Sequence, residues 1–162
     1  MALSILGMLH LRTAIAAAHR QDRGTTTDLL RQATDEAARL GADANHWQTS
    51  FGPTNVELHR IATSLNLQDV SWVVAHGADV DSSGPPTERS VAHKVDLARA
   101  NSMMARDDDA LTYLLDAEQA APQLVRHSAT VREAVKSMFR RGRATAGHGS
   151  PLVGLAERCR AI

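Results

Sequence analysis

The chain has 162 residues, enough for one domain with a core of its own, and 43% of them are hydrophobic while only 3% are aromatic. Its 18 lysine and arginine residues balance 18 aspartate and glutamate residues, and this zero net charge disfavours nucleic acid as its sole partner. The single cysteine, Cys159, excludes a disulfide framework within the chain and favours a reducing, cytoplasmic environment.

The first segment of the chain, MALSILGMLHLR, is apolar but has no basic n-region, and His10 and Arg12 interrupt it early. We therefore interpret it neither as a signal peptide nor as a membrane span, and we expect no membrane partner. An apolar helix at the first residue also suggests that the chain has lost, or never had, a domain packed ahead of it.

Helical spacing of apolar residues recurs along nearly every long segment, and no segment alternates polar and apolar residues for long enough to predict a strand. Thr54 and Glu57 have the spacing of a capping box, and Ser150-Pro151 places a capping hydroxyl before a proline at the first helical position. The predicted helices cover about 2–20, 25–40, 54–66, 69–78, 87–105, 108–121, 130–142 and 151–161.

Three consecutive aspartates, Asp107 to Asp109, are either ligands of a metal ion or residues at the start of a helix. No cluster of histidine or glutamate residues completes a metal site with them. Carboxylates are favourable at a helix N-terminus because unsatisfied N–H groups and the positive end of the dipole lie there. We interpret them as helix-start residues, and we expect neither a metal ion nor a cofactor.

Small residues at Ala98, Ala110 and Ala117, the bulky Leu114 and then Pro122 recur at the intervals of a tetratricopeptide repeat. In that repeat two antiparallel helices touch through small residues. With two weaker copies earlier in the chain, the degenerate repeats lie at about 7–40, 54–78 and 91–122, followed by closing helices at about 130–161. The predicted fold class is therefore all-α, a single domain over 1–162 in which tetratricopeptide-like antiparallel helical hairpins form a short right-handed solenoid.

Three segments resemble the C-terminal domain of actinobacterial Xre-type transcriptional regulators: HWQTSFGPTNVELHRIATSLNLQD (46–69), the repeat at 97–122, and LVRHSATVREAVKSMFRR (124–141). The resemblance covers nearly the whole chain, and FGPTN is its most specific element. In that family an N-terminal helix-turn-helix precedes a tetratricopeptide-like domain that senses a ligand or dimerises. No segment of this chain can serve as the helix-turn-helix, so we expect either a fragment of a larger regulator or a stand-alone relative.

The resemblance implies a regulatory domain that senses a ligand or partner, or forms a homodimer. The alternatives are a stand-alone enzyme that reuses the helical groove in a biosynthetic pathway, and a protein–protein adaptor. No catalytic residue is predicted, because the eight histidines lack H-x-x-x-H or H-E-x-x-H spacing and Cys159 has no nearby histidine. Glu57 and His59 are two residues apart and point to different sides of a helix. These patterns favour a protein without enzymatic activity.

The candidate binding site is the concave groove, which the first helix of each pair lines in this architecture. The repeat register predicts six binding residues: Leu11, Ile15, Asn55, Leu58, His59 and Arg99. Arg99 offers a planar fork for a carboxylate and Asn55 both donates and accepts, so a small effector or a peptide or protein partner is expected there. Alternatively, Arg99 pairs with Asp96 and Asn55 caps its helix. Trp47 and Phe51, just before that helix, are interpreted as core anchors rather than pocket walls.

A basic stripe follows one helix through Arg132, Lys136, Arg140 and Arg143. It is either a solvated face or a contact with a phosphate or an acidic partner. Because the net charge is zero and no helix-turn-helix is present, we expect no specific DNA binding by this chain alone.

Overall fold

The structure of the protein, a computed structural model, describes residues 2–46, 49–142 and 150–162. Within these ranges the regular structure is helical and no strand occurs, which confirms the all-α fold class. The helices are α1 (Ala2–His19), α2 (Arg23–Leu40), α3 (Pro53–Asn66), α4 (Val70–His76), α5 (Thr87–Met103), α6 (Asp107–Ala120), α7 (Pro122–Arg126), α8 (Ala129–Gly142) and α9 (Pro151–Arg158), with a 3-10 turn at Gly77–Asp79. Trp47 and Arg143, for which the sequence made predictions, lie outside the described residues.

The predicted helices agree with the observed ones to within a few residues, apart from α7. Pro122 occupies the first turn of this short helix, where its missing N–H is not needed. Ser150 accepts a hydrogen bond from the N–H of Val153 at 3.3 Å, so its predicted capping role is confirmed. Asp107 to Asp109 form the first turn of α6, as predicted for helix-start residues.

The predicted capping box at Thr54 and Glu57 is wrong in its register. Helix α3 begins one residue earlier, at Pro53, and its N-cap residue is Gly52, which has no side chain to accept a bond. The N–H of Thr54 instead donates to Oδ1 of Asp43 at 3.1 Å. The cap therefore comes from a loop residue well upstream in sequence.

The chain divides into two compact units, Met1–Pro86 and Thr87–Ile162. In the first unit α1 and α2 pack along each other as a hairpin, and α3 packs against both. A hydrogen bond of 3.1 Å between Nδ1 of His10 and Oε2 of Glu36 also joins α1 to α2. One cluster of its core residues consists of Leu11, Ala14, Leu30, Ala33, Ala37, Phe51 and Val56.

In the second unit α5 and α6 form the main hairpin, α8 packs on α5, and α9 packs on α8. Ala98, Ala110 and Ala117 are completely buried, as the small-residue pattern predicts. Glu118, also buried, binds two arginines: Arg158 donates from Nε and Nη2 at 2.7 Å, and Arg126 donates from Nε at 2.8 Å. These bonds tie α6 to α7 and α9.

By length and composition alone, α1 is apolar enough to cross a membrane, with a mean hydropathy of 1.2, a criterion that core helices and signal sequences also satisfy. Its residues Ser4, Gly7, Leu11 and Ala14 are buried, whereas three large apolar side chains are exposed: Ile5, Leu6 and Leu9. The expectations of a cytoplasmic protein without a membrane partner stay predictions.

Candidate functional site

The six residues predicted to bind a ligand are distributed over both units. In the first unit Leu11 is 0% exposed and belongs to the core, and Leu58 is also buried, so neither presents an open apolar surface. Ile15 is half-buried on α1. Helical register predicts which residues of α1 share a face, but not whether that face borders a groove or a core.

Asn55 and His59 lie one turn apart on α3. Asn55 is 1% exposed, and its Nδ2 donates to Sδ of Met8 at 3.1 Å, while its Oδ1 has no hydrogen-bond partner among the described residues. Nδ1 of His59 lies 2.9 Å from the backbone oxygen of Asn55. Because Gly52 is the N-cap of α3, the alternative in which Asn55 caps the helix is wrong.

Arg99 lies on α5 in the second unit. Its Nη1 is 3.4 Å from Oδ1 of Asp96, so the alternative structural pairing is present. Burial raises the pKa of Asp96, although the charge of Arg99 opposes that shift. Arg99 also borders an open cavity of about 360 Å³ between α5 and α8, near Ser102 and Arg141. The predicted convergence of Arg99 with Asn55 and His59 stays a prediction.

A larger open pocket, of about 580 Å³, lies within the first unit between α2, α3, α4 and the segment that follows α4. The repeat register did not predict this site. Its walls are formed by Thr34, Ala37, Ala38, Pro53, Thr54, Val56, Glu57, Ile61, Trp72, His76, Asp79, Val80 and Asp81. We refer to it as the α2–α4 pocket.

The floor of the α2–α4 pocket is apolar and joins the core of the unit. Ala37, Val56 and Ile61 reach the pocket from α2 and α3 and are otherwise buried. The rings of Trp72 and His76 stack with centroids 4.8 Å apart and an interplanar angle of 22°. Because these two residues are one helical turn apart, α4 presents them side by side as an aromatic wall.

The FGPTN segment fixes the edge of the pocket. Phe51 is completely buried, and its carbonyl accepts a hydrogen bond from the N–H of Ala44 at 3.0 Å. Gly52 lies so close to Asp43 that a Cβ at this position would overlap the Asp43 backbone and carboxylate. Pro53, the next residue, starts α3 and lines the pocket. The FGPTN segment thus contributes a buried core residue, Phe51, and part of the pocket wall.

The rim of the α2–α4 pocket is acidic. Glu57, Asp79 and Asp81 line it, and no lysine or arginine is among its lining residues. Nε of Arg60 is 3.2 Å from Oε2 of Glu57, so that carboxylate has a cationic partner. Asp81 accepts a hydrogen bond from the N–H of Ser83 at 2.9 Å, and this bond lowers the pKa of Asp81. Asp81 is accordingly ionised at neutral pH.

A second open groove, of about 670 Å³, lies beside the pocket between α2, α3 and α4 and shares Thr34 and Trp72 with it. Its charges are paired. Arg23 binds Asp69 through two hydrogen bonds of 2.6 and 2.9 Å, and Arg31 lies 3.9 Å from Asp35. The bonds with Arg23 lower the pKa of Asp69, which keeps this pair charged.

Two of the three described residues of the basic stripe on α8 have partners within the second unit. Nε of Arg132 donates to the backbone oxygen of Cys159 at 3.1 Å, and Nζ of Lys136 donates to Glu133 at 3.0 Å. Arg140 is exposed. Cys159 is buried, and burial raises the pKa of its thiol, in keeping with a packing role.

Among the described residues, no group of three or more histidine, cysteine, aspartate or glutamate side chains could hold a metal ion. Comparison of the chain with protein-family models, curated proteins and solved structures found no match.

Proposed function

We propose that this chain is a regulatory module that binds a small effector in the α2–α4 pocket. The observation that supports the proposal is the pocket itself, whose apolar floor and polar rim suit a small organic ligand. Its volume of about 580 Å³ is within the range of roughly 300–1,000 Å³ that is typical of such sites.

The polar groups of the pocket wall favour binding over catalysis. The hydroxyl of Thr34 donates to the carbonyl of Leu30 at 2.8 Å. Nδ1 of His76 lies 2.9 Å from the carbonyl oxygen of Trp72, and Glu57 is paired with Arg60. Each of these contacts lies within a single helix, and none joins one of these groups to another. We therefore expect the groups to orient a ligand and not to act together as a nucleophile and its base.

The regulatory role rests on the sequence resemblance, and the helical hairpins are compatible with it. In our proposal α1–α2, α3–α4 and α5–α6 are degenerate tetratricopeptide-like pairs of a short solenoid, followed by α7, α8 and α9. The pocket joins the second helix of one pair to both helices of the next, so an effector that fills it would fix α4 against α2. By holding α4 in one position, the effector would change the surface that the unit presents to a partner.

Binding of Nile red, an uncharged apolar fluorophore, tests this proposal. We expect saturable fluorescence enhancement with the native chain. Ala38 is an exposed residue of the pocket wall, and Ala38→Phe should abolish the enhancement by filling the pocket. Ala16→Phe, at an exposed position of α1 outside the pocket, is the matched control and should bind normally.

Circular dichroism should show the same helix content in both variants and in the native chain. Equal binding by Ala38→Phe and the native chain, or no binding by the native chain, would contradict the proposed function.

A further inference from the structure

We propose that the ligand of the α2–α4 pocket is an organic cation, an amine or guanidinium group attached to an apolar body. This inference rests on the proposed function and adds the chemical class of the effector. Its basis is the juxtaposition, in one pocket, of unpaired carboxylates with an aromatic wall and an apolar floor.

The charge of the pocket is the first part of the argument. Of its three carboxylates, Glu57 is paired with Arg60, whereas Asp79 and Asp81 have no cationic partner among the described residues. Both aspartates follow α4, and Asp79 ends the 3-10 turn. The pocket rim thus carries two negative charges that a bound cation would compensate, while an anionic ligand would be repelled.

The aromatic wall is the second part. An indole ring attracts a cation placed over its face more strongly than any other aromatic side chain. Trp72 lines the pocket, and its stacking on His76 at 4.8 Å holds the ring in place. Val80 lies between Asp79 and Asp81 in sequence and also lines the pocket, so apolar and acidic groups alternate along a segment of the same pocket wall. This combination suits the charged end and the apolar body of one ligand.

The adjacent groove is an internal comparison. It has a similar volume and shares Trp72 with the pocket, but both of its aspartates have an arginine partner: Asp69 pairs with Arg23, and Asp35 pairs with Arg31. The pocket therefore has an excess of negative charge that the adjacent groove does not share. A ligand selected by charge would occupy the pocket rather than the groove.

Three small probes with the same ring and similar size test the inference: phenethylamine as the cation, phenethyl alcohol as the neutral molecule and hydrocinnamate as the anion. The dissociation constant of each is measured at neutral pH and low salt from the shift of the Trp72 indole N–H resonance, which Trp72→Phe identifies. We expect phenethylamine to bind about tenfold more tightly than the alcohol, and hydrocinnamate to bind most weakly.

The variant Asp79→Asn with Asp81→Asn should remove the preference for the amine and leave binding of the alcohol unchanged. A control with the same charge change, Asp116→Asn with Glu157→Gln at exposed sites of the second unit, should keep the preference. Added salt should reduce it in the native chain, because exposed charges are screened.

Equal affinities of the native chain for amine and alcohol would overturn the cation proposal and leave the proposed function intact. Retention of the preference in the doubly neutralised variant would also overturn it, since the two aspartates would not then be its source. The proposed function itself fails in the Nile red experiment, if the native chain does not bind the fluorophore or binds it no better than Ala38→Phe does.

Discussion

Gly7 on α1 lies directly against the ring of Phe51. A Cβ built at Gly7 would overlap three carbon atoms of that ring, and Phe51 itself is completely buried. The absence of a side chain at Gly7 thus allows the FGPTN segment to pack onto α1. The next residues of that segment start α3, and Pro53 and Thr54 line the α2–α4 pocket.

Replacing Gly7 by alanine should therefore destabilise the first unit, although alanine is normally the better helix former. Overpacking against the Phe51 ring should lower the free energy of unfolding by about 1–3 kcal/mol, measured by denaturation with urea. Gly24→Ala on α2 is the control. Its Cβ would approach no atom closer than Oδ1 of Asp22 at 3.8 Å, so we expect no loss of stability. Equal effects of the two substitutions would contradict the packing account.

A second prediction concerns the hairpin of α5 and α6. Ala117 is completely buried between helices, and Ala117→Leu should overpack that interface at a cost of about 1–3 kcal/mol in unfolding free energy. Ala120→Leu, at an exposed position of the same helix, should leave the thermal midpoint nearly unchanged. An unaltered midpoint in Ala117→Leu would show that the small residue is not required there.

A third prediction concerns the pH dependence of stability through Glu118. Its hydrogen bonds with Arg158 and Arg126 lower the pKa of Glu118 below its ordinary value of 4.5. A carboxyl whose pKa is lower in the folded than in the unfolded state stabilises the fold above the unfolded value. That contribution is lost as the pH falls through the folded value.

Glu118→Gln should thus lower the free energy of unfolding by about 1–3 kcal/mol at neutral pH. The difference from the native chain should shrink as the pH falls from 4.5, the ordinary value, through the lower pKa of the folded state, where the native carboxyl becomes protonated. Glu133→Gln, which changes a largely exposed glutamate paired with Lys136, should have little effect at any pH. A difference that stays constant down to strongly acidic pH would exclude the ion-pair explanation.

The sequence was sufficient to predict the helices and the buried small residues, because both depend on local spacing. The spacing of Ala98, Ala110 and Ala117 follows the helical period in the sequence itself. The cap of α3 could not be predicted in the same way, since Asp43 reaches Thr54 from a loop rather than from the helix itself.

The candidate site was less predictable for a related reason. The periodicity of α1 shows that Leu11 faces inward, but not whether a groove or a core lies there. Trp72 and His76 have a helical spacing that could have suggested a shared face, and the acidic residues after them could have suggested charge. Only the tertiary packing of α4 beside α2 and α3 brings Asp79 and Asp81 to the pocket in which Ala38 and Ile61 also lie.

The central claim, that the α2–α4 pocket is the binding site, is tested most directly by intermolecular nuclear Overhauser effects from bound phenethylamine to the protein. We predict contacts from the ring protons of the probe to the methyl groups of Ala38 and Val80 and to the indole of Trp72, all of which line the pocket. Contacts instead to Ile15 and His59, with none to Trp72, would contradict the claim and favour the groove that the repeat register predicts.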